Sequence, residues 1–283
     1  MRVKVTLNDP VSPGASVSDD GVTTVVIPAI PVTLAPGETG SFRVTFTRTT
    51  ATLNAYTGGQ LTWTDGVHAV RSPLVVRPVA LAAPIEVSST GGPIDYTVTF
   101  GYSGVFTASP RGLVPAVLNT GTIADDPDDT FAPVPGPDVI AFPMTIPAGT
   151  TYARFALFDA NVSPASDLDI FVYRGTTLVA ASGGGTSQET ANLVNPAAGD
   201  YTVYVHGFGV PGTANFTLFT WRFGIASAGN MSVSAPAAAV TGANGTVSLT
   251  FSGLAPGTKY LGSVAYGGIA GLPNPTIVFV DVP

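Results

Sequence analysis

With 283 residues, 45% of them hydrophobic and only 10% charged, and with 33 Gly and 25 Pro, the chain can build two or three cores but carries too many turn-formers for long helices. Its net charge of −7, with Lys4 and Lys259 the only lysines, excludes the basic footprint of a nucleic-acid binder, and the lack of cysteine excludes disulfides, thiolate metal sites and thiol nucleophiles. The longest apolar runs, 24–34 and 79–85, are broken by proline and fall short of the roughly 20 residues that a membrane-spanning helix needs.

Apolar and polar residues alternate along the whole chain, and no segment keeps helical periodicity beyond two turns, which predicts an all-β protein of antiparallel strands. Met1 leads directly into Arg-Val-Lys-Val-Thr-Leu, which alternates like a strand and has no apolar h-region. The expectation is a chain that starts inside a domain, with any export signal upstream. Strands are predicted over 3–7, 22–27, 30–34, 41–46, 60–63 and 69–76, with turns at Pro36-Gly37 and Asp65-Gly66, where glycine supplies positive φ.

Two blocks of this first part resemble a known family. Val32-Thr-Leu-Ala-Pro-Gly-Glu-Thr-Gly-Ser-Phe-Arg-Val-Thr-Phe46, followed by Gly59-Gln-Leu-Thr-Trp-Thr-Asp-Gly-Val-His-Ala-Val-Arg-Ser-Pro-Leu-Val-Val76, is similar to the fibronectin type III-like domain behind the catalytic domain of plant-type subtilisin-like serine peptidases. Trp63, Asp65, Gly66, His68, Arg71, Ser72 and Pro73 fall in that family's order and spacing. The resemblance implies a domain-interface motif and a structural role for His68; Arg71 reads either as a planar anchor for a carboxylate across a domain interface, with its partner in the catalytic domain of the same polypeptide, or as an ordinary strand arginine. It covers only the later strands of such a domain, so residues 1–82 are expected to be an N-terminally truncated sandwich.

Residues 76–84 read as a Pro- and Ala-rich linker, and 94–102 and 104–108 alternate as strands. An acidic loop with Asp125, Asp126, Asp128 and Asp129 and a Pro-rich stretch at 132–137 follow. Seven strands are then predicted up to Phe223. Asp167-Leu-Asp-Ile-Phe-Val-Tyr173 and Asn195-Pro-Ala-Ala-Gly-Asp-Tyr-Thr-Val-Tyr-Val-His-Gly207 resemble the bacterial pre-peptidase C-terminal domain, a jelly-roll-like module at the ends of secreted proteases, and the resemblance runs over 138–223. Strands are predicted at 231–234, 246–252, 259–266 and 276–282, with hairpin-type turns at Asn244-Gly245 and Pro256-Gly257. Few strands remain for the tail, so 226–283 is expected to complete a sandwich with 83–120, leaving the jelly roll of 121–225 inserted between the halves. The overall expectation is tandem β-sandwiches, fibronectin III-like and then jelly-roll-like.

Candidate chemistry is sparse. Asp167 and Asp169, two apart on a strand, share a face with Phe171 and Tyr173, while Leu168, Ile170 and Val172 line the other. Together with Asp125, Asp126, Asp128 and Asp129, and with Asp138 or Asp159 as recruits, they are the candidate ligands for Ca²⁺, a cation that takes oxygen donors. The bland alternatives are a solvated strand start and a solvated linker. Gly185-Thr-Ser187 imitates a subtilisin nucleophile but leads to a strand and a turn, not a helix, so Ser187 reads as a decoy. His206 is expected on the face opposite Tyr201, Val203 and Val205, toward solvent or a neighbouring strand, without a catalytic role. Trp63, Trp221, Tyr173, Tyr201 and Tyr204 could form a stacking platform for sugars, though most sandwich aromatics fill the core. Asn215-Phe-Thr and Asn230-Met-Ser are short sequons that matter only in a glycosylating source.

These readings predict a non-catalytic C-terminal accessory region of a secreted subtilisin-like serine peptidase, one that stabilises the catalytic domain or binds a protein or polysaccharide substrate. Secretion is implied by the resemblance. The alternative is a calcium-dependent or carbohydrate-binding adhesion module of a surface protein.

Overall fold

The computed structural model describes residues 3–7, 16–19, 23–26, 44–48, 51–64 and 67–283, with side chains from 51–62 and 67–283. Within these residues the protein is all-β. Apart from two parallel contacts its strands pair antiparallel, and its one helical element is the 3-10 turn Asp159–Asn161.

The first part contributes β1 (Val3–Leu7), β2 (Ser16–Asp19), β3 (Thr23–Val26), β4 (Val44–Arg48), β5 (Thr57–Thr64) and β6 (Ala69–Val76). They form a four-stranded sheet in the order β3-β2-β5-β6 and a β1-β4 pair. The β5-β6 hairpin sets Trp63 opposite Val70, Thr62 opposite Arg71 and Leu61 opposite Ser72. The expected strand 30–34, the turn at 36–40, Asp65 and Gly66 lie outside the described residues, as does the Trp63 side chain.

The chain continues through β7 (Leu81–Ala82), β8 (Glu86–Ser89), β9 (Ile94–Phe100), β10 (Gly104–Val105) and β11 (Thr107–Pro115). Residues 76–84 are not a free linker. Ala80 and Leu81 are fully buried, and β7 pairs with β9 through Leu81 and Phe100, because short apolar side chains beside an open sheet edge gain more from burial than from solvation.

Next come β12 (Val117–Ala124), β13 (Val139–Ile146), β14 (Tyr152–Ala156), β15 (Val162–Ser163), β16 (Asp167–Arg174), β17 (Thr177–Ser182), β18 (Thr190–Val194), β19 (Gly199–Gly209) and β20 (Thr213–Phe223). One sheet runs β12-β20-β14-β18 with β15 on β20, and the other β13-β19-β16-β17. Alternation on β16 sends Leu168, Ile170 and Val172 into the space between the sheets, where all three are fully buried. Each such side chain contributes about 1.5–3 kcal/mol of transfer free energy, so the facing of β16 is strongly specified.

The last strands are β21 (Met231–Ser234), β22 (Ala238–Ala239), β23 (Asn244–Phe251), β24 (Lys259–Gly267) and β25 (Thr276–Asp281). They return to pair with the strands before β12: β23 with β9, β24 with β11, β22 with β10, and β25 in parallel with β8. The resulting sheets, β21-β23-β9-β7 and β11-β24-β25-β8, enclose a second core that includes Val98, Phe106, Leu113, Val247 and Val278. Asn244-Gly245 is no turn. Both residues sit inside β23, opposite Thr99 and Val98, and a Cβ on Gly245 would lie 2.9 Å from the Phe100 ring, so glycine is there for close packing.

The two sandwiches meet across a third apolar cluster. Tyr152, Phe219, Trp221 and Phe223 of one are buried against Leu261 and Ile277 of the other. Trp221 Nε1 donates to the Lys259 carbonyl at 3.2 Å. Beside it the Arg154 guanidinium forks onto Glu86, at 2.9 and 2.6 Å.

Candidate functional site

β16 and β19 lie side by side with Asp169 opposite His206 and Phe171 opposite Tyr204. Strand period places these four on the outer face, as expected. That face is not solvent at His206, however, which is only 1% exposed. The acidic loop folds over it. The Asp126 amide donates to the Gly207 carbonyl at 2.9 Å, and the Phe131 ring stacks on Phe171 with centroids 3.8 Å apart. Gly207 permits the approach, since a Cβ there would stand 2.1 Å from the Ala124 carbonyl oxygen. Of the two surroundings expected for His206, solvent or a neighbouring strand, solvent is excluded: the alternation holds, but a loop 80 residues earlier in sequence covers the ring.

His206 Nε2 lies 2.8 Å from Asp126 Oδ2, and both side chains are buried. Asp126 also accepts from the Asp128 and Thr130 amides. Its carboxyl is held below the ordinary range first by the His206 bond, against the cost of burial, with the two amides assisting. With Asp126 ionised, Nε2–H donates to its Oδ2, which leaves Nδ1 facing Asp169 Oδ2 at 3.6 Å with no hydrogen-bond partner. Asp169 is pushed up by burial and then by Asp167; Asp167 is pushed up by burial and then by Asp159. Asp167 Oδ1 is buried without a partner and borders a cleft of about 420 Å³ whose lining includes Asp159, Ser166 and Thr186. Glu189, also buried, accepts a hydrogen bond from Ser182 Oγ.

The candidate calcium ligands thus separate into two groups. Asp125 and Asp126 are engaged by the fold, since Asp125 Oδ1 accepts from the Val210 amide at 2.6 Å, and Asp128 and Asp129 are exposed. Asp167 lines the cleft together with Asp159, and Asp169 lies near Asp167 but faces His206. Among the described residues no three His, Cys, Asp or Glu side chains are grouped so as to hold a metal ion.

Ser187 is fully buried and its Oγ donates to the Ser166 carbonyl at 2.7 Å, so it is committed to the loop and presents no nucleophile. Ser187→Ala is expected to cost about 1–2 kcal/mol for the lost buried bond, read as a shifted urea midpoint at constant slope. Trp221 and Tyr201 are 1% and 4% exposed, which removes them from the proposed sugar platform, whereas Tyr173 and Tyr204 stay half-buried and meet edge to face at 5.6 Å. His68 and Arg71 are exposed on the β6 side of the hairpin, with Ser72 half-buried and Pro73 exposed.

The opposed shifts fix a pH dependence. A carboxyl raised in the folded state costs stability above the unfolded value of about 3.9, and acid relieves that cost as pH falls through the folded value. A lowered carboxyl contributes stability above about 3.9 that is lost as pH falls through its folded value. Asp167 and Asp169 follow the first course and Asp126 the second. The thermal midpoint should therefore rise on acidification from neutral toward pH ~4 and fall below it. Asp167→Asn or Asp169→Asn should raise the neutral-pH midpoint and flatten the rising limb; a midpoint already level between neutral and pH ~4 in the native chain would contradict the assignment.

Residues 11–76 match a family model described as a fibronectin type-III domain. Among its described residues the chain is thus all-β, and its stretch 11–76 is similar to a fibronectin type-III domain. No curated protein matches it. Among solved structures, that of the M60 catalytic domain with the CBM51-1 and CBM51-2 domains from Clostridium perfringens ZmpB is similar over 99% of this chain and 39% of that one, at 9% identity and a TM-score of 0.24. A superposition this weak carries no argument about function.

Proposed function

We propose that this chain is the non-catalytic C-terminal accessory region of a secreted subtilisin-like serine peptidase, with a fibronectin type III-like part followed by a pre-peptidase C-terminal-like jelly roll carried within a further sandwich. Its work is to stabilise the catalytic domain of the same polypeptide or to hold substrate near it. The observation that carries this reading is the family match over residues 11–76, and Ser187, which imitates a subtilisin nucleophile, fits a non-catalytic role because its Oγ is taken up by the Ser166 carbonyl. The match over 11–76 and the Trp63 to Pro73 motif support the attachment to a peptidase, with exposed Arg71 as the anchor for a catalytic-domain carboxylate. In the gene, codons for Asp-Thr-Gly, His-Gly-Thr and Gly-Thr-Ser-Met blocks are expected upstream of residue 1; an upstream frame coding for an unrelated surface protein would end the peptidase reading.

A second reading, a calcium-dependent module, is favoured by Asp167, whose Oδ1 is buried without a hydrogen-bond partner beside a cleft that Asp159 also lines. Under it, millimolar Ca²⁺ raises the melting midpoint at neutral pH and Asp167→Asn abolishes the rise. A midpoint unmoved by Ca²⁺ or chelator leaves the cluster as a structural feature.

A further inference from the structure

The outer face of β12 and β20 holds a groove made from a different kind of side chain. Register places Thr120 opposite Thr217 and Thr122 opposite Asn215, and the turn and strand at 159–163 rise beside them with Asn161 and Ser163. Together they border a concavity of about 640 Å³, within the size range of small-ligand sites. No residue lining it is charged, although Asp159 and Asp167 stand in the neighbouring cleft.

Thr122 Oγ1 donates to Asn215 Oδ1 at 2.7 Å, which orients the Asn215 amide and leaves its NH₂ free to donate. Thr120, Thr217 and Ser163 add hydroxyls that both donate and accept. Leu118, 59% exposed, stands on the same face two residues before Thr120 and offers an apolar patch. A neutral array of hydroxyls and an amide with an adjoining apolar surface matches a ligand that is itself uncharged, hydroxyl-rich on its edges and apolar on its C–H faces. An anion would find no cation in this groove, and a basic peptide would be drawn to the carboxylates beside it.

We propose that this groove binds an uncharged polysaccharide. The site does not depend on the chain serving a peptidase. It is also separate from the Tyr173 and Tyr204 face, since those residues lie on the opposite sheet.

The test is native affinity electrophoresis of the full chain in gels containing hydroxyethyl cellulose, dextran, laminarin or soluble starch, together with pull-down on insoluble cellulose and chitin. Retention by at least one of these polymers is expected. Thr120→Ala with Thr217→Ala should weaken it about tenfold or more, corresponding to the loss of two hydrogen bonds. Thr217→Trp, which fills the groove, should abolish it, and Tyr173→Ala should leave it unchanged. Melting curves establish that each variant is folded. Retention by none of these polymers, retention that survives both groove variants, or retention that depends on Tyr173 would overturn the proposal. Preferential capture of casein or gelatin would overturn it in favour of a peptide ligand. A chain that fails here but still stabilises a linked catalytic domain would leave the accessory role standing.

Discussion

Replacing Glu86 with alanine is expected to destabilise the chain by about 2–3 kcal/mol. Glu86 holds both arms of the Arg154 guanidinium, whose side chain is only 8% exposed. Burial alone would push the guanidinium's pKa down, but the Glu86 hydrogen bonds and the neighbouring Tyr152 outweigh it and the group is held above its ordinary value. The remaining contacts, Asn192 Oδ1 to Nε at 2.8 Å and Tyr152 OH to Nη2 at 3.3 Å, do not neutralise the charge. Breaking a buried pair on one side costs about 3–5 kcal/mol, and the smaller figure applies because Glu86 itself is 36% exposed, so that water replaces part of the lost interaction. The thermal midpoint should drop by roughly 4–12 °C. Arg154→Met combined with Glu86→Leu should recover at least half of that loss, since an apolar pair removes the stranded charge. A single Glu86→Ala variant within about 0.5 kcal/mol of the native chain would show the pair to be solvent-screened, as surface pairs are.

Trp221→Ala should cost more, about 3–5 kcal/mol. The indole is 1% exposed between the two sandwiches, parallel to Phe219 at 6.1 Å and edge-on to Phe279 at 6.1 Å. Alanine leaves a cavity that strands cannot collapse into without breaking β14 and β20 pairing. Because the lost contacts hold two cores together, the variant should also uncouple them, so that the two sandwiches, expected to unfold together in the native chain, unfold in separate transitions. The chain has two tryptophans, so a Trp63→Phe background makes Trp221 the sole indole reporter and its emission should shift red in the first transition. A single unaltered transition would mean that the sandwiches do not depend on this contact.

Much of the architecture was written in local patterns. Alternation marked most strands beyond residue 138 and on β16 separated Leu168, Ile170 and Val172 from Asp167, Asp169 and Phe171, but it did not mark β8 or β12, whose last residues read as part of the acidic loop. Local pattern failed where the cause was distant. His206 has the period of an outward residue and is buried only because loop 125–131 lies on it. Nothing near Arg154 in sequence announces Glu86, 68 residues away on another sheet. Asn244-Gly245 has the composition of a hairpin turn, yet the demand for a residue without a side chain against Phe100 placed it inside a strand. The 76–84 segment looked like a linker because Pro and Ala are common in linkers, but Ala80 and Leu81 meet an apolar edge that only the folded chain supplies. The buried carboxylates were visible as residues, while their opposed pKa shifts come from packing and from partners far along the chain.

The central claim, that this is scaffold and not catalyst, is tested most directly by incubating the purified chain with fluorescein-labelled casein, with and without a serine-directed inhibitor, alongside Ser187→Ala and His206→Gln. The prediction is release no faster than in buffer for all three proteins. Turnover that the inhibitor abolishes and that both substitutions remove would contradict it.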